Sequence, residues 1–246
     1  MSDWLFDLGN SRLKFAPLHA DGSVGEMAGI AHDGQAFPAG WDTLLPARIE
    51  AAHVASVAAP ALRVRLLDAL AARSGRIGLA ATQRRWNGLE IAYAEPARLG
   101  VDRFLALLAA HARGGAWLVV GVGTALTLDL VDAAGRHRGG RIAPSPTLMR
   151  EALHGRARQL PARGGAYREF ADDTDDALAS GCLGAALALV ERSREAARHL
   201  LDEAPSLLLH GGGAAELAPH LADAVTDPAL VLRGLAQWAR PSARTP

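Results

Sequence analysis

The sequence predicts an α/β protein built from two similar halves. Residues 4–15 read WLFDLGNSRLKF and residues 117–130 read WLVVGVGTALTLDL. Each segment joins two apolar runs of strand length through a short turn that contains glycine and a small hydroxyl residue. Strand-like and helical patterns alternate along the rest of the chain, which is typical of α/β folds. Because one such segment begins each half, we infer a duplicated fold that grips a polyphosphate from both sides.

The first half begins with strand-like runs. Strands are expected at 3–8, 12–17, 51–57, 76–81 and 89–93. Apolar residues at helical spacing predict a helix at 60–73, and a second helix begins at Asp102 and ends at Gly114-Gly115, because glycine commonly ends helices. We place the domain boundary at this glycine pair, which divides the chain into residues 1–114 and 115–246.

The second half repeats the alternation of strands and helices. Strands are expected at 117–121, 124–131, 137–142 and 206–210. Helices are expected at about 147–155, at 174–200, after the glycines 211–213, and at about 228–239. The long helix at 174–200 is apolar beyond one stripe, which is more than a surface helix requires. We therefore predict a homodimer that buries part of it.

Composition narrows the range of functions. Half of the 246 residues are hydrophobic, and 26 basic side chains balance 26 acidic ones. We therefore expect a large core and neither a nucleic-acid nor a membrane-surface partner. No apolar run is long enough to cross a membrane, and Asp3 and Asp7 interrupt the first apolar stretch, so we expect a cytoplasmic protein. The single cysteine, Cys182, excludes an intrachain disulfide, and its apolar surroundings predict a buried, inert thiol.

The turn DLGNS at residues 7–11 is the first candidate site. Glycine lets the backbone approach a ligand closely, and exposed turn N–H groups with a hydroxyl suit phosphate oxygens. An ordinary β-turn uses the same residue types, so that alternative stays open. A carboxylate at Asp7 would repel phosphate unless it held Mg²⁺, directly or through water. Lys14 either reaches a phosphate from the next strand or is solvated.

The segment LGVDRFLALLAA at residues 99–110 is the second candidate site. Asp102 either caps its helix or accepts a proton from an attacking hydroxyl, as phosphoryl transfer requires. Arg103 stands at a helix N-terminus, where positive charge is mildly unfavourable. Arg103 is either an exposed residue of the first helical turn or a residue that faces an anion, and its placement favours the anion.

Two further glycine-bearing turns lie in the second half. In GVGTALTLD, Thr124 offers a hydroxyl, while Gly123 and Thr124 offer backbone N–H donors. The turn HGGGA at 210–214 follows a predicted strand and precedes a helix. It either packs under a flat adenine or simply ends the strand.

Taken together, these motifs resemble the type III pantothenate kinases. The resemblance is carried by DLGNS, Tyr93 with GVDR, GTALTLD, GGRIAP, the Thr174 region and HGGGA, in that order. It covers nearly the whole chain and is most specific in GVDRFLALLAA and HRGGRIAPSPTLMREAL. That family belongs to the acetate kinase/Hsp70/actin-like superfamily. The resemblance therefore implies two ribonuclease-H-like, actin-like ATPase halves with ATP and substrate in the cleft between them, which agrees with the duplication.

The resemblance also implies an activity and a set of site residues. The implied reaction is ATP-dependent phosphorylation of pantothenate to 4′-phosphopantothenate, the first step of coenzyme A biosynthesis. Asp102 would be the general base, Thr124 would bind ATP from the second half, and Asp7 would lie near Mg²⁺. The ATP phosphates would be bound by Asp7, Leu8, Gly9, Asn10, Ser11, Arg12, Leu13 and Lys14. Pantothenate would contact Tyr93, Gly100, Val101, Asp102, Arg103 and Thr174. Family members are homodimers whose pantothenate pocket is completed across the interface, and many need K⁺ or NH₄⁺.

The chain departs from the family pattern at three places. Gly121 stands where the family usually has an aspartate that binds the monovalent cation, and glycine offers only a backbone carbonyl, so we predict a weaker dependence on K⁺ or NH₄⁺. Ser11 replaces a more usual threonine, and PSP at 144–146 replaces PG. Asp7 and Asp102 are both present, which favours a working kinase.

Two alternatives remain open from the sequence. One is another small-molecule kinase of the same superfamily. The other is a non-catalytic, nucleotide-binding regulatory factor of the same fold. The presence of Asp102 and the lack of a basic stripe argue against the regulatory factor.

Overall fold

The computed structural model describes residues 2–240, which form two units. The first unit comprises the described chain up to Arg113, Gly135–His137 and the chain from Ala229 onward. The second comprises Gly114–Ala134 and Arg138–Pro228. The sequence-based division at Gly114-Gly115 assigned the last helix to the second domain, and the structure corrects this, because that helix packs within the first unit.

The elements are named in chain order. The strands are β1 (Asp3–Leu8), β2 (Arg12–Leu18), β3 (Ala28–Ala31), β4 (Ile49–Ser56), β5 (Ser74–Leu79), β6 (Arg85–Trp86), β7 (Leu89–Glu90), β8 (Trp117–Val122), β9 (Ala125–Val131), β10 (His137–Pro144), β11 (Ser206–His210) and β12 (Val225–Thr226). The α-helices are α1 (Pro60–Ala71), α2 (Val101–His111), α3 (Pro146–Arg156), α4 (Thr174–Leu201), α5 (Ala214–Leu217) and α6 (Leu230–Ala239). Short 3₁₀ helices lie at Trp41–Leu44, Pro96–Arg98 and Ala218–His220.

Each unit is built on a five-stranded sheet with the same strand order. The order is β3-β2-β1-β4-β5 in the first unit and β10-β9-β8-β11-β12 in the second. In both, the first strand of an antiparallel hairpin also pairs in parallel with a later strand, which is β4 in the first unit and β11 in the second. The matching order confirms the duplication that the two hairpin segments predicted.

Alternating apolar side chains place a core against each sheet. In the first unit, Phe6, Leu8, Leu13 and Phe15 of the hairpin pack with the apolar face of α1. In the second, the corresponding hairpin packs with buried residues of α4 and β11. Cys182 of α4 is buried, as predicted, and burial raises the pKa of its thiol. Among residues 2–240, no helix is both long and apolar enough to cross a membrane.

The close packing of α6 on α2 depends on Gly234. A Cβ added there would overlap the backbone carbonyl of Leu105, and backbone cannot move aside cheaply. We predict that Gly234→Ala lowers the free energy of unfolding by about 1–3 kcal/mol through overpacking. The matched control is Gly155→Ala in α3, where an added Cβ meets nothing within 4 Å and the better helix former is neutral or slightly stabilising. Equal stability of the two variants in urea denaturation would contradict this account.

Candidate active site

The β1–β2 hairpin presents its turn to solvent while its flanks are buried. The Gly9 N–H donates to the Arg12 carbonyl at 3.0 Å and closes the turn. Asn10, Ser11 and Arg12 are exposed. Leu8 and Leu13 were also predicted to contact phosphate, but both are fully buried. Their backbone groups, and not their side chains, are therefore suited to bind a ligand.

Asp7 is a buried carboxylate at the end of β1. It is 9% exposed and lies opposite Lys14 in the hairpin. Its pKa is raised from 3.8 to about 7, first because burial disfavours the charged form and second because the negative charge of Asp102 is near, while Lys14 acts in the opposite direction. A strongly shifted carboxylate beside a second one is typical of a functional site.

Asp102 lies in the first turn of α2 and does not cap the helix. The N-cap position is Gly100, where no side chain caps the helix. The Asp102 Oδ1 accepts a hydrogen bond from the Arg103 N–H at 2.8 Å. Of the two roles the sequence left open for Asp102, the cap is therefore excluded.

Gly100 gives the Asp102 carboxylate its space. A Cβ on residue 100 would stand 2.6 Å from the Asp102 Oδ1, a distance that forces the carboxylate to move. Val101, the first residue of α2, is buried. The absence of a side chain at Gly100 thus leaves the space that the Asp102 carboxylate occupies.

Arg103 and Tyr93 form a second pair in the first unit. Arg103 is buried, its Nη1 donates to the Tyr93 hydroxyl at 3.3 Å, and its guanidinium carbon lies 5.9 Å from the Tyr93 ring centroid. The Tyr93 ring stacks on His137 with ring centroids 5.8 Å apart. Sequence analysis did not single out His137, because no local pattern connects it with Tyr93. A buried guanidinium held by an aromatic ring is suited to bind a carboxylate or phosphate.

In the second unit, the turn that carries Thr124 is held against the glycine turn 211–213. Thr124 is exposed, and the Gly123 N–H donates to the Ala125 carbonyl at 2.9 Å. The Val122 carbonyl accepts the Gly213 N–H at 3.0 Å. Gly211 has a φ of +93° and approaches Val122 so closely that a Cβ would overlap its carbonyl oxygen. The glycines are therefore required for contact between the two turns.

The other predicted positions of the second unit lie at helix starts. Thr174 is the exposed first residue of α4, and the Asp173 side chain before it accepts the Asp176 N–H at 2.9 Å. In the PSP segment, Ser145 caps α3 by accepting the Leu148 N–H at 3.2 Å. Ser145, part of the PSP segment that replaces PG, thus helps to start helix α3.

The residues present fit the implied Mg²⁺ ion but not the implied monovalent cation. The described chain contains no cluster of three or more metal-ligating side chains, but Mg²⁺ that is bound through nucleotide phosphates needs only one or two carboxylates. Asp7, whose burial makes its charge costly without a cation, fits that need. A K⁺ or NH₄⁺ ion bound by a side chain at position 121 does not fit, because Gly121 has none and the space for its Cβ is taken by Thr127 and His210.

The fold and the two turns define the class of the protein. A Campylobacter jejuni protein described as a candidate Baf family transcriptional activator superposes with a TM-score of 0.62 at 20% identity, over 95% of this chain and 96% of that one. A Sinorhizobium meliloti protein described as a candidate 2-dehydro-3-deoxygalactonokinase gives a TM-score of 0.56 at 14% identity, over 96% and 98% of the two chains. The chain therefore has the two-halved, ribonuclease-H-like fold of the actin-like ATPases and sugar kinases.

The family follows from the sequence match. The family model of the type III pantothenate kinases matches residues 4–196. A Stenotrophomonas maltophilia (strain K279a) protein named type III pantothenate kinase is 58% identical over 239 residues, which cover 97% of this chain and 98% of the relative. The chain belongs to the type III pantothenate kinase family, and the resemblance stated from the motifs is confirmed.

Proposed function

We propose that the protein transfers the γ-phosphoryl group of ATP to the primary hydroxyl of pantothenate, in the cytoplasm, as a phosphotransferase with an alcohol acceptor. The product is 4′-phosphopantothenate, and the reaction is the first step of coenzyme A biosynthesis. The observation that carries the proposal is that the buried Asp7 carboxyl group lies near enough to Asp102 in the first unit for the Asp102 charge to raise its pKa. A cation-binding carboxylate beside a second carboxylate that can accept a proton is what phosphoryl transfer to an alcohol requires.

The two hairpin turns are the proposed phosphate-binding elements. The backbone N–H groups of residues 10–12, the Ser11 hydroxyl and Lys14 would bind phosphate oxygens from the first unit. Thr124 would bind the nucleotide from the second. Asp7 would hold Mg²⁺ directly or through water, and the ion would supply charge neutralisation on the phosphates.

The acceptor is proposed to bind beside α2. Arg103 and Tyr93 would bind the carboxylate of pantothenate, because they offer a buried cation and a phenol held together. Gly100 and Val101 would line the acceptor site, and Thr174 would contribute from α4. Asp102 would take the proton from the attacking hydroxyl and would thereby raise its nucleophilicity during transfer.

An ATP-consumption assay tests the proposed function. Wild-type protein with Mg²⁺-ATP is offered pantothenate and, separately, a panel of other hydroxyl-bearing acids and sugars. The proposal expects turnover that depends on pantothenate and is far slower with the panel. A preference for a sugar would indicate another small-molecule kinase, and tight nucleotide binding without any turnover would indicate a regulatory factor.

Gly100 provides a test of how Asp102 is positioned. The Gly100→Ala exchange is expected to lower kcat by about 10- to 100-fold, since a displacement of about 1 Å in a reacting group has effects of this size. Gly75→Ala in β5 is the matched control, because its Cβ would meet only the Glu50 carbonyl oxygen at an ordinary 3.7 Å. Steady-state kinetics would refute the positioning role if the two variants had equal kcat.

A homodimer is part of the proposal. In the second unit, α3 and α4 border an apolar groove of about 740 Å³ lined by residues such as Met149, Leu153 and Leu178, and Leu153 is 45% exposed. Burial of this surface against a second copy would remove apolar area from water. We expect light scattering at micromolar concentration to give twice the chain mass. A monomer would contradict the shared pantothenate pocket.

A further inference from the structure

The β1–β2 turn is held by the loop that follows β3 in the first unit, which we call the β3 loop. The His32 N–H donates to the Ser11 carbonyl at 3.0 Å, and the His32 Nε2 lies 3.1 Å from the Gly9 carbonyl oxygen. A Cβ on Gly34 would lie 3.7 Å from the carbonyl oxygen of Asn10. The carbonyl groups of three successive turn residues therefore lie against the β3 loop.

The partners of the two ring nitrogens assign a direction to each hydrogen bond of the His32 side chain. The Gly34 N–H donates to the His32 Nδ1 at 3.1 Å. A backbone N–H can only donate and a carbonyl can only accept, so Nδ1 carries the lone pair and Nε2 carries the hydrogen. The His32 Nε2–H therefore donates to the Gly9 carbonyl, and the ring links the turn to the backbone of the β3 loop.

The β3 loop is itself fixed to the core of the first unit. The His32 ring stands edge-on to the Phe37 ring, with centroids 5.5 Å apart. Phe37 is buried in the core cluster of that unit and stacks on Trp41 with centroids 3.9 Å apart. Between them, the Asp33 carboxylate accepts two backbone N–H groups of the same loop at 2.8 and 2.7 Å. The imidazole is thus held in place before any ligand binds to the turn.

The hydrogen bond from His32 sets the direction of one N–H group of the turn. The Gly9 carbonyl and the Asn10 N–H belong to the same planar peptide, and in a trans peptide they point in opposite directions. Because the imidazole binds this carbonyl, the Asn10 N–H is directed away from the β3 loop. Turn N–H groups with a fixed direction are the donors that bind phosphate oxygens.

We propose that His32 is a positioning residue for the nucleotide and acts through the β1–β2 turn without contacting the ligand. Its Nε2–H holds the Gly9–Asn10 peptide in the orientation that offers the Asn10 N–H to a phosphate oxygen. A group that is already ordered in the free protein loses less conformational freedom on binding, which increases affinity. This inference rests on the proposed function, because it takes ATP as the ligand of the turn.

The first measurement is calorimetry with a non-hydrolysable ATP analogue and Mg²⁺. His32→Phe keeps an aromatic ring against Phe37 and removes both ring hydrogen bonds. Its Kd is expected to rise about three- to tenfold, the equivalent of one hydrogen bond. His32→Gln again offers an N–H to the Gly9 carbonyl and is expected to recover most of the affinity.

The matched control is His19→Phe. His19 is exposed and follows the end of β2 that lies away from the turn, so this variant should bind the analogue as the wild type does. Wild-type affinity in His32→Phe, or equal losses in His32→Phe and His32→Gln, would refute the role of the imidazole hydrogen bond.

The second measurement separates nucleotide positioning from a general loss of structure. In steady-state kinetics, His32→Phe is expected to raise KM for ATP by about as much as it raises the Kd of the analogue. KM for pantothenate should stay at the wild-type value, because the β3 loop contacts the phosphate turn and the proposed acceptor residues lie on other elements. An equal rise in both KM values would indicate a purely structural role and would overturn the proposal.

The third measurement disturbs the β3 loop without changing the imidazole. Gly34 has a φ of +89° and Gly40 a φ of +69°, so alanine is strained at both positions. Both exchanges are expected to lower thermal stability. Only Gly34→Ala should weaken binding of the analogue, because the Gly34 N–H is the partner of the His32 Nδ1. Equal nucleotide affinity of Gly34→Ala and Gly40→Ala would contradict the support of the turn by this loop.

The binding measurements need no pantothenate, so the two proposals can fail separately. A wild-type protein that binds the analogue more tightly than His32→Phe does, yet shows no turnover with pantothenate, would refute the proposed acceptor and support the role of His32. Turnover of pantothenate by His32→Phe with the wild-type KM for ATP would refute the role of His32 and leave the kinase activity intact.

Discussion

Asp102→Asn is expected to lower kcat by about 100-fold or more, with modest changes in KM for ATP and pantothenate. Asparagine has the size of aspartate but cannot accept a proton from the attacking hydroxyl at neutral pH. Its side-chain oxygen can still accept the hydrogen bond that the Arg103 N–H now donates to Asp102. We therefore expect the fold to be retained and the loss to lie in the chemical step.

The matched control for this exchange is Asp68→Asn. Asp68 is an exposed carboxylate of α1, so the same change of charge there should leave kcat unaltered. Circular dichroism and thermal melting of all three proteins establish that they are folded. An Asp102→Asn variant that is folded and turns over at nearly the wild-type rate would remove Asp102 from the role of base.

Asp7→Asn is expected to abolish efficient use of Mg²⁺-ATP and, at the same time, to stabilise the protein in the absence of ligands. The proposed metal contact is lost, so kcat/KM for ATP should fall by about 100-fold or more, while pantothenate binding is changed much less. The stability gain follows from burial, because the folded chain holds the Asp7 charge in a place that raises its pKa to about 7.

The gain in stability has a defined dependence on pH. Between the unfolded value of 3.8 and the folded value of about 7, the native protein holds a proton on Asp7 that the unfolded chain has released. The stability contribution of Asp7 therefore falls as pH rises through this window and is constant above it. Denaturation of wild type and Asp7→Asn at pH 4, 6 and 8 should show a difference that grows with pH. A difference that is constant or reversed would contradict the buried charge.

The sequence predicted the hairpins well because a hairpin is specified by residues that are close together in the sequence. Apolar alternation and a glycine turn indicated β1 at 3–8 and β2 near 12–17, and the structure places them at Asp3–Leu8 and Arg12–Leu18. The predicted strand at 89–93 is only the two-residue β7, and the short β3 and β12 were not predicted. Strands this short carry too few residues to show an alternating pattern.

The arrangement of the site depends on contacts between distant residues, which patterns do not show. The packing of α6 on α2 depends on Gly234, which approaches the Leu105 carbonyl. The two residues are over 120 positions apart in the sequence. The unfavourable position of Arg103 predicted that it faces an anion; its Nη1 donates to the Tyr93 hydroxyl, and the anion stays a prediction. The contact of His210 with position 121 had no sequence signal, because parallel pairing of β8 with β11 brings them together.

The most direct test of the central claim is to identify the phosphorylated product by ³¹P NMR. Wild-type protein is incubated with Mg²⁺-ATP and pantothenate, and the spectrum is followed as ATP is consumed. Phosphoryl transfer by the proposed mechanism predicts ADP and one phosphomonoester resonance, growing in equal amounts, with almost none in Asp102→Asn. Release of inorganic phosphate without a phosphomonoester, or no loss of ATP at all, would contradict the claim that this protein is a pantothenate kinase.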